Sequence, residues 1–310
     1  MMLIALALIL TPQQAALRAL VDQDVRVATI GTRLALAAGP AFCPGQSLSL
    51  AGLVVQDATQ YSVDTRDDAR IALGLGEGPT VVGVVAGTAN GGARTRDTIV
   101  EINGVAIPPQ PLKHPYARVE QVESAIESAV GGKIALAVRR GPATLRLDHP
   151  VAAGCSSRFQ IVRGGLGKTQ ADGRYVSISD SMMKSTPTDD MLAALMAHEL
   201  SHNILRHKLL KTPSKQAEYE ADRLSVWLVA RAGYDSDGVT QFWAALRKRA
   251  DYGILADGTH PRWPKRIAAI DAALAEVRAQ QAAGQPLVPS LGPSLGPSRQ
   301  EGASQPQNRR

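Results

Sequence analysis

Residues 187–202 read Pro187-Thr188-Asp189-Asp190-Met191-Leu192-Ala193-Ala194-Leu195-Met196-Ala197-His198-Glu199-Leu200-Ser201-His202. Pro187 suits the first turn of a helix, and Met191, Leu192, Leu195 and Met196 recur at the three- and four-residue spacings of a helix face anchored in a core. The pattern predicts a helix from about Thr188 to Leu210. Four residues advance such a helix by about 400°, so the imidazoles of His198 and His202 project only about 40° apart and can grip one ion. Glu199 flanks the same side and reaches the ion's open position, where a water would sit, without being a ligand. An H-E-x-x-H run is by itself also compatible with an ordinary exposed helix face.

Downstream, Lys211-Thr212-Pro213-Ser214 breaks the pattern before Glu218-Tyr219-Glu220-Ala221-Asp222 inside a second helical pattern, Lys215 to Ala232. A short break allows an antiparallel return that brings Glu218 back to the histidine pair. Two histidines and one carboxylate with an open fourth position form a catalytic zinc arrangement, with one Zn2+ per chain, whereas structural zinc sites are closed and Cys-rich. Asp222 lies one turn after Glu218 and can accept a hydrogen bond from the second nitrogen of a ligand imidazole. Glu220 points to another face and reads as solvated, the rival ligand only if the register is misjudged. His114, His149 and His207 read as structural or solvated. Further helices are expected from Asp237 to Ala250 and from Pro264 to Gln281.

Outward from this region, 310 residues with 45% apolar content are enough for two domains with real cores. A net charge of +6 invites a nucleic-acid partner, but the basic residues are scattered and only 4% of residues are aromatic, leaving few stacking platforms, so none is expected. The charge is compatible with a weak attraction to an anionic membrane surface. The opening run Met1 to Leu10 is too short to span a bilayer and resembles the core of an export signal, although no Lys or Arg precedes it. Export to the periplasm or cell envelope is the expectation, and a mature helix in a cytoplasmic protein the alternative. The two cysteines, Cys43 and Cys155, have one internal pairing open to them in an exported chain; buried free thiols are the other reading.

The expected organisation is a signal-like segment over 1–16, a helical part over 17–70 with one amphipathic helix from Pro12 to Ala38, a small β module over 71–150, a second part of the catalytic region over 151–281, and a Pro/Gly/Ser-rich tail over 282–310 that cannot fold by burial. In the module, Thr80–Val85, Thr98–Ile102 and Lys133–Val138 are β-rich, with a helix from Val119 to Val130. Beyond it, Phe159–Val162 and Tyr175–Ser179 are expected to pair as a hairpin around Ala171-Asp172-Gly173.

The module resembles a PDZ domain of the circularly permuted bacterial kind, through Leu73-Gly74-Leu75-Gly76, Ala86-Gly87-Thr88-Ala89 and Arg96-Asp97-Thr98-Ile99-Val100-Glu101-Ile102-Asn103-Gly104. Leu73, Gly74, Leu75 and Gly76 would then bind a peptide or C-terminal carboxylate beside an open strand edge. The H-E-x-x-H followed by E-x-x-x-D resembles the metallopeptidase family of HtpX, the CAAX prenyl endopeptidase and the envelope protease BepA, and Ala197 to His207 is similar to its soluble PDZ-containing members. The resemblance implies an α+β fold, a mostly helical zincin-like metallopeptidase domain with a small sheet and an inserted PDZ-like domain. It implies an endopeptidase acting on polypeptide substrates, with Glu218 as the third ligand, Asp222 beside it, and His260 and Arg266, from His260-Pro261-Arg262-Trp263-Pro264-Lys265-Arg266, approaching the metal to stabilise an oxyanion. The competing class is a PDZ-mediated binding or chaperone-like protein with a structural or latent zinc site.

Overall fold

Thr11 opens the first helix. Its hydroxyl accepts from the Gln14 N–H while the Gln14 side chain accepts from the Thr11 N–H, a reciprocal cap, and Pro12 takes the first position. In the computed structural model, which describes residues 10–85, 92–110, 113–164, 169–250 and 263–289, this helix α1 (Pro12–Phe42) runs past the expected end to a kink at Gly39, whose φ of 59° a glycine takes without strain. Val27, Ile30, Leu34 and Ala38 make its buried stripe.

Two short strands follow where an irregular stretch was expected, β1 (Ser47–Leu50) and β2 (Leu53–Gln56), then α2 (Val63–Leu73) with Gly74 as its left-handed cap. β3 (Thr80–Val84), β4 (Thr98–Ile102), β5 (Val105–Ala106), α3 (Ala117–Glu127), β6 (Lys133–Arg140) and β7 (Ala143–Pro150) complete the β-rich part. Its sheet has the order β2-β3-β4-β6-β7, with β5 on β4. Val81, Ile99, Ile134, Leu136 and Val138 face Val122 and Ile126 of α3, giving this sheet its own core. β2 therefore brings residues 53–56, upstream of the expected module, into the sheet. The Ala86–Ala89 motif lies outside the described residues.

The chain returns through β8 (Ala152–Cys155), which pairs with β1, and Cys43 and Cys155 are joined by a disulfide. β9 (Arg158–Val162), β10 (Gln170–Ala171) and β11 (Tyr175–Ser179) form a second sheet of order β10-β11-β9. The expected hairpin is corrected here: β9 and β11 pair in parallel, from Arg158↔Tyr175 to Val162↔Ser179. Asp172 accepts from the N–H groups of Arg174 and Tyr175, and this turn joins β10, not β9, to β11. Twelve residues separate the two strands, the length a parallel pair requires.

The helices are α4 (Asp180–Ser185), α5 (Asp189–Ile204), α6 (His207–Leu210), α7 (Ser214–Arg231), α8 (Asp237–Ala250) and α9 (Trp263–Ala282). Thr188 caps α5 by accepting from the Met191 N–H. α5 is buried on almost every side, among α1, α7, α8 and β11, at the centre of the largest core, which also takes in Trp227, Phe242, Trp243, Ile270 and Leu274. The helix expected to reach Leu210 stops at Ile204, because Arg206 adopts a left-handed conformation (φ 57°). Helices and separate small sheets make a mixed α+β fold. Among the described residues no helix is long and apolar enough to cross a membrane.

Candidate metal centre

α5 carries His198 and His202 one turn apart, and α7 packs along it with Glu218 and Asp222 one turn apart on the facing side. The Nε2 atoms of His198 and His202 are 3.3 Å apart, and the Glu218 carboxylate is 3.6 Å from each, through Oε2 and Oε1 respectively. Among the described residues these three side chains form the one group able to hold a metal. The separations match the donor set of a tetrahedral ion: bonds of about 2.0–2.1 Å to nitrogen and oxygen give edges of roughly 3.3–3.4 Å. Two imidazole nitrogens turned on each other at this distance share at most one proton, whereas a cation between them satisfies both lone pairs and the carboxylate.

The ring behind His198 is held by charge. Its Nδ1 lies 3.1 Å from Oδ1 of Asp222, which is fully buried and takes two 2.7 Å hydrogen bonds from Arg266. Burial pushes the Asp222 carboxyl upward, but hydrogen bonds from Arg266 and His198 outweigh it and hold Asp222 below its usual range. Burial likewise opposes a proton on His198, yet Asp222 and Glu218 raise its affinity for one overall, so the pocket favours positive charge at this point. His202 is pushed down to about 2 by burial and by the neighbouring His198 and His207, and so stays an unprotonated donor. Glu199 has its carboxyl raised, chiefly by burial, with Glu218 adding to the shift, His198 and Arg266 opposing it and a main-chain hydrogen bond to Ala171 of β10 also opposing it. Asn203, one position beyond His202, donates to Ser157 Oγ and the Tyr175 carbonyl and accepts from the Gly173 N–H, which fixes the β10–β11 turn against α5.

The structure thus brings together His198, His202, Glu218 and Asp222, with Glu199 beside them. Arg266, expected to approach the metal, lies against the acids of the centre. Its guanidinium is spent on Asp222, lies 3.1 Å from Glu218 Oε2 and stacks 4.2 Å over the Trp243 ring, so it orders the acids behind the ligands. His260 lies outside the described residues. Two residues read as bystanders are part of the cluster: His207 Nδ1 is 2.9 Å from His202 Nδ1, and His207 Nε2 is 3.0 Å from Oε2 of Glu220. The extra histidine five residues after His202 was the available signal, hidden by the assumption of an unbroken helix.

Leu73, Gly74, Leu75 and Gly76 are not brought to an open strand edge. The Leu75 N–H donates to the Arg70 carbonyl and the Gly76 N–H to Thr80 Oγ1, while β3 is paired with β2 on one side and β4 on the other. β2 is an end strand of that sheet, as β7 is at the other side. A cavity of about 420 Å³ runs along β2, lined by Leu50, Gly52 and Val54, by Val119 and Glu123 of α3, and by Phe159 of β9.

Two histidines and a carboxylate converging beside a half-buried glutamate define a metalloenzyme type of centre. More particularly, residues 166–216 and 208–274 match the family model of peptidase family M48, and this matched region contains the α5 and α7 site. The match and the cluster together support a zinc-dependent metallopeptidase activity. Comparison with curated proteins returned no match.

Proposed function

We propose that the protein is a zinc-dependent endopeptidase that hydrolyses internal peptide bonds of polypeptides, with misfolded envelope proteins as its substrate class. The observation that carries this reading is the His198–His202–Glu218 triangle, whose edges suit a tetrahedral ion with one open position. Zinc, when bound there, supplies Lewis acidity that lowers the pKa of a water and polarises the scissile carbonyl. Glu199 would take the proton of the attacking water and return it to the leaving amine; burial raises its carboxyl pKa, the direction that strengthens a general base. An extended substrate is assigned to β10. β11 is flanked on both sides, whereas β10 ends the sheet and its Ala171 main chain is near enough to Glu199 to lower that carboxyl's pKa, so an extended substrate added to β10 lies next to the base.

The β-rich part is read as a PDZ-like domain inserted between two parts of a zincin-like peptidase. Its peptide site is assigned to the groove between β2 and α3 instead of the Leu73–Gly76 loop, because β2 is an end strand, as strand addition needs, and the cavity lies along it. The Cys43–Cys155 disulfide supports an oxidising, exported location such as the periplasm. Glu199→Gln tests the catalytic assignment. The variant is expected to hold wild-type zinc while casein cleavage falls by about 10²- to 10⁴-fold, the usual contribution of a positioned general base. Equal cleavage by both proteins would reject Glu199 as the base.

A further inference from the structure

We propose that His207 and Glu220 are positioning residues for the metal ligand His202, forming a second relay in which a carboxylate orients a ligand through an intervening imidazole. The inference rests on the metal-centre reading of His198, His202 and Glu218. If His202 offers Nε2 to a cation, its one proton sits on Nδ1. The atom facing that proton at 2.9 Å is Nδ1 of His207, which must then accept, leaving the His207 proton on Nε2, 3.0 Å from the Glu220 carboxylate. Each donor meets one acceptor, and the tautomer of both rings is fixed from the far end by Glu220. Gln216 donates to the other Glu220 oxygen at 2.9 Å and holds that carboxylate in place.

The backbone is bent to make this contact. Five residues advance a regular helix by about 500°, which would leave His207 roughly 140° around the axis from His202. The chain instead leaves α5 at Leu205, takes a left-handed conformation at Arg206 and another at Lys211, and holds α6 between them with His207 buried. Two non-glycine residues in that region cost on the order of 1–3 kcal/mol each, and such outliers persist where surrounding contacts demand them. A merely buried histidine would be satisfied by a backbone carbonyl, as His149 is by Ala51; His207 instead spends one nitrogen on the ligand ring and the other on an acid. The two ligands are therefore supported unequally, His198 directly by a fully buried aspartate and His202 through a second ring by a less buried glutamate.

The test is equilibrium Zn2+ affinity by competition with a chromophoric chelator, with Co2+ absorption reporting ligand geometry and thermal unfolding of the metal-free proteins reporting fold. His207→Ala is expected to weaken Zn2+ binding about 10- to 100-fold, the usual effect of losing a group that orients a metal-bound histidine. Glu220→Ala should weaken it less, and the double variant no more than His207→Ala alone. His207→Gln, whose amide can accept from one side and donate to the other, should bind closer to wild type than His207→Ala does. Unchanged Zn2+ affinity in His207→Ala, whatever its melting temperature, overturns the relay, and so do losses that multiply in the double variant. Wild-type protein that takes up no Zn2+ would instead defeat the metal-centre reading itself.

Discussion

Arg266 and Asp222 are both almost completely withdrawn from water and meet through two 2.7 Å hydrogen bonds. Removing Arg266 leaves the buried Asp222 with His198 as its remaining partner and most of its charge uncompensated, and breaking a buried pair in this way costs about 3–5 kcal/mol. Arg266→Ala is therefore expected to lower unfolding free energy by about that amount in a denaturant titration, and a change below about 1 kcal/mol would show that Asp222 finds another partner. A buried histidine elsewhere sets a pH dependence. His149 accepts from the Ala93 N–H and donates to the Ala51 carbonyl, and burial lowers its pKa from 6.5 against the opposing effect of the Ala51 bond. A base whose folded pKa is depressed contributes its full stability above 6.5 and loses it as pH falls from there through the folded value, because the unfolded chain takes up the proton first. Denaturation midpoints should drop below pH 6.5 in wild type, with a shallower drop in His149→Gln; equal slopes would contradict the assignment. At this scale much of the centre was legible. His198, Glu199, His202, Glu218 and Asp222 obey one-turn spacing on uninterrupted helices, so periodicity alone brings them together. The presence of His207 was visible but its meeting with His202 and Glu220 was not, since that depends on a left-handed residue at Arg206 that no residue preference for helix or turn announces.

Elements are set against one another by a few close approaches. Gly31 sits in the middle of α1, where alanine would favour the helix by about 1 kcal/mol. A Cβ there, however, would stand 2.2 Å from Cγ of Phe159 on β9, so α1 and β9 touch through the missing side chain. Overpacking of this kind costs about 1–3 kcal/mol, enough to reverse the propensity gain. Gly31→Ala should be net destabilising in thermal unfolding, and Phe159→Leu in the same chain should restore part of the loss; a stabilised Gly31→Ala would mean that the ring moves aside freely. The same strand shows where element-level reading stopped. The Asp172 turn was recognisable from its residues, but turn chemistry says only that two strands meet, and β10 is a two-residue strand too short to carry an apolar pattern. The longer β9 was paired with β11 in its stead, with the wrong direction. β1 and β2 escaped for a similar reason: each is four residues long, and their pairing partners, β8 and β3, lie far along the chain.

Across the whole molecule, the Cys43–Cys155 bridge closes a loop with a sequence separation of 112 that contains the entire six-stranded sheet with α2 and α3, while α5 and α7, which carry the candidate ligands, lie outside it. Both cysteines are buried, Cys43 where α1 ends and Cys155 at the last residue of β8 beside the start of β1, so the bridge fastens the two crossings between the β-rich part and the helical core. A cross-link over so long a loop acts mainly by restricting the unfolded chain, and native disulfides typically contribute about 2–4 kcal/mol. Replacing both cysteines by alanine should lower the unfolding free energy by about that much. Zn2+ affinity measured well below the melting temperature should stay within a fewfold of wild type, because no ligand or orienting acid lies inside the loop. If the same variant lost Zn2+ affinity in proportion to its stability, the packing of α1 on α5 and α7 would be the route by which the β-rich part supports the centre, and closing the loop would be a condition of metal binding as well as of folding.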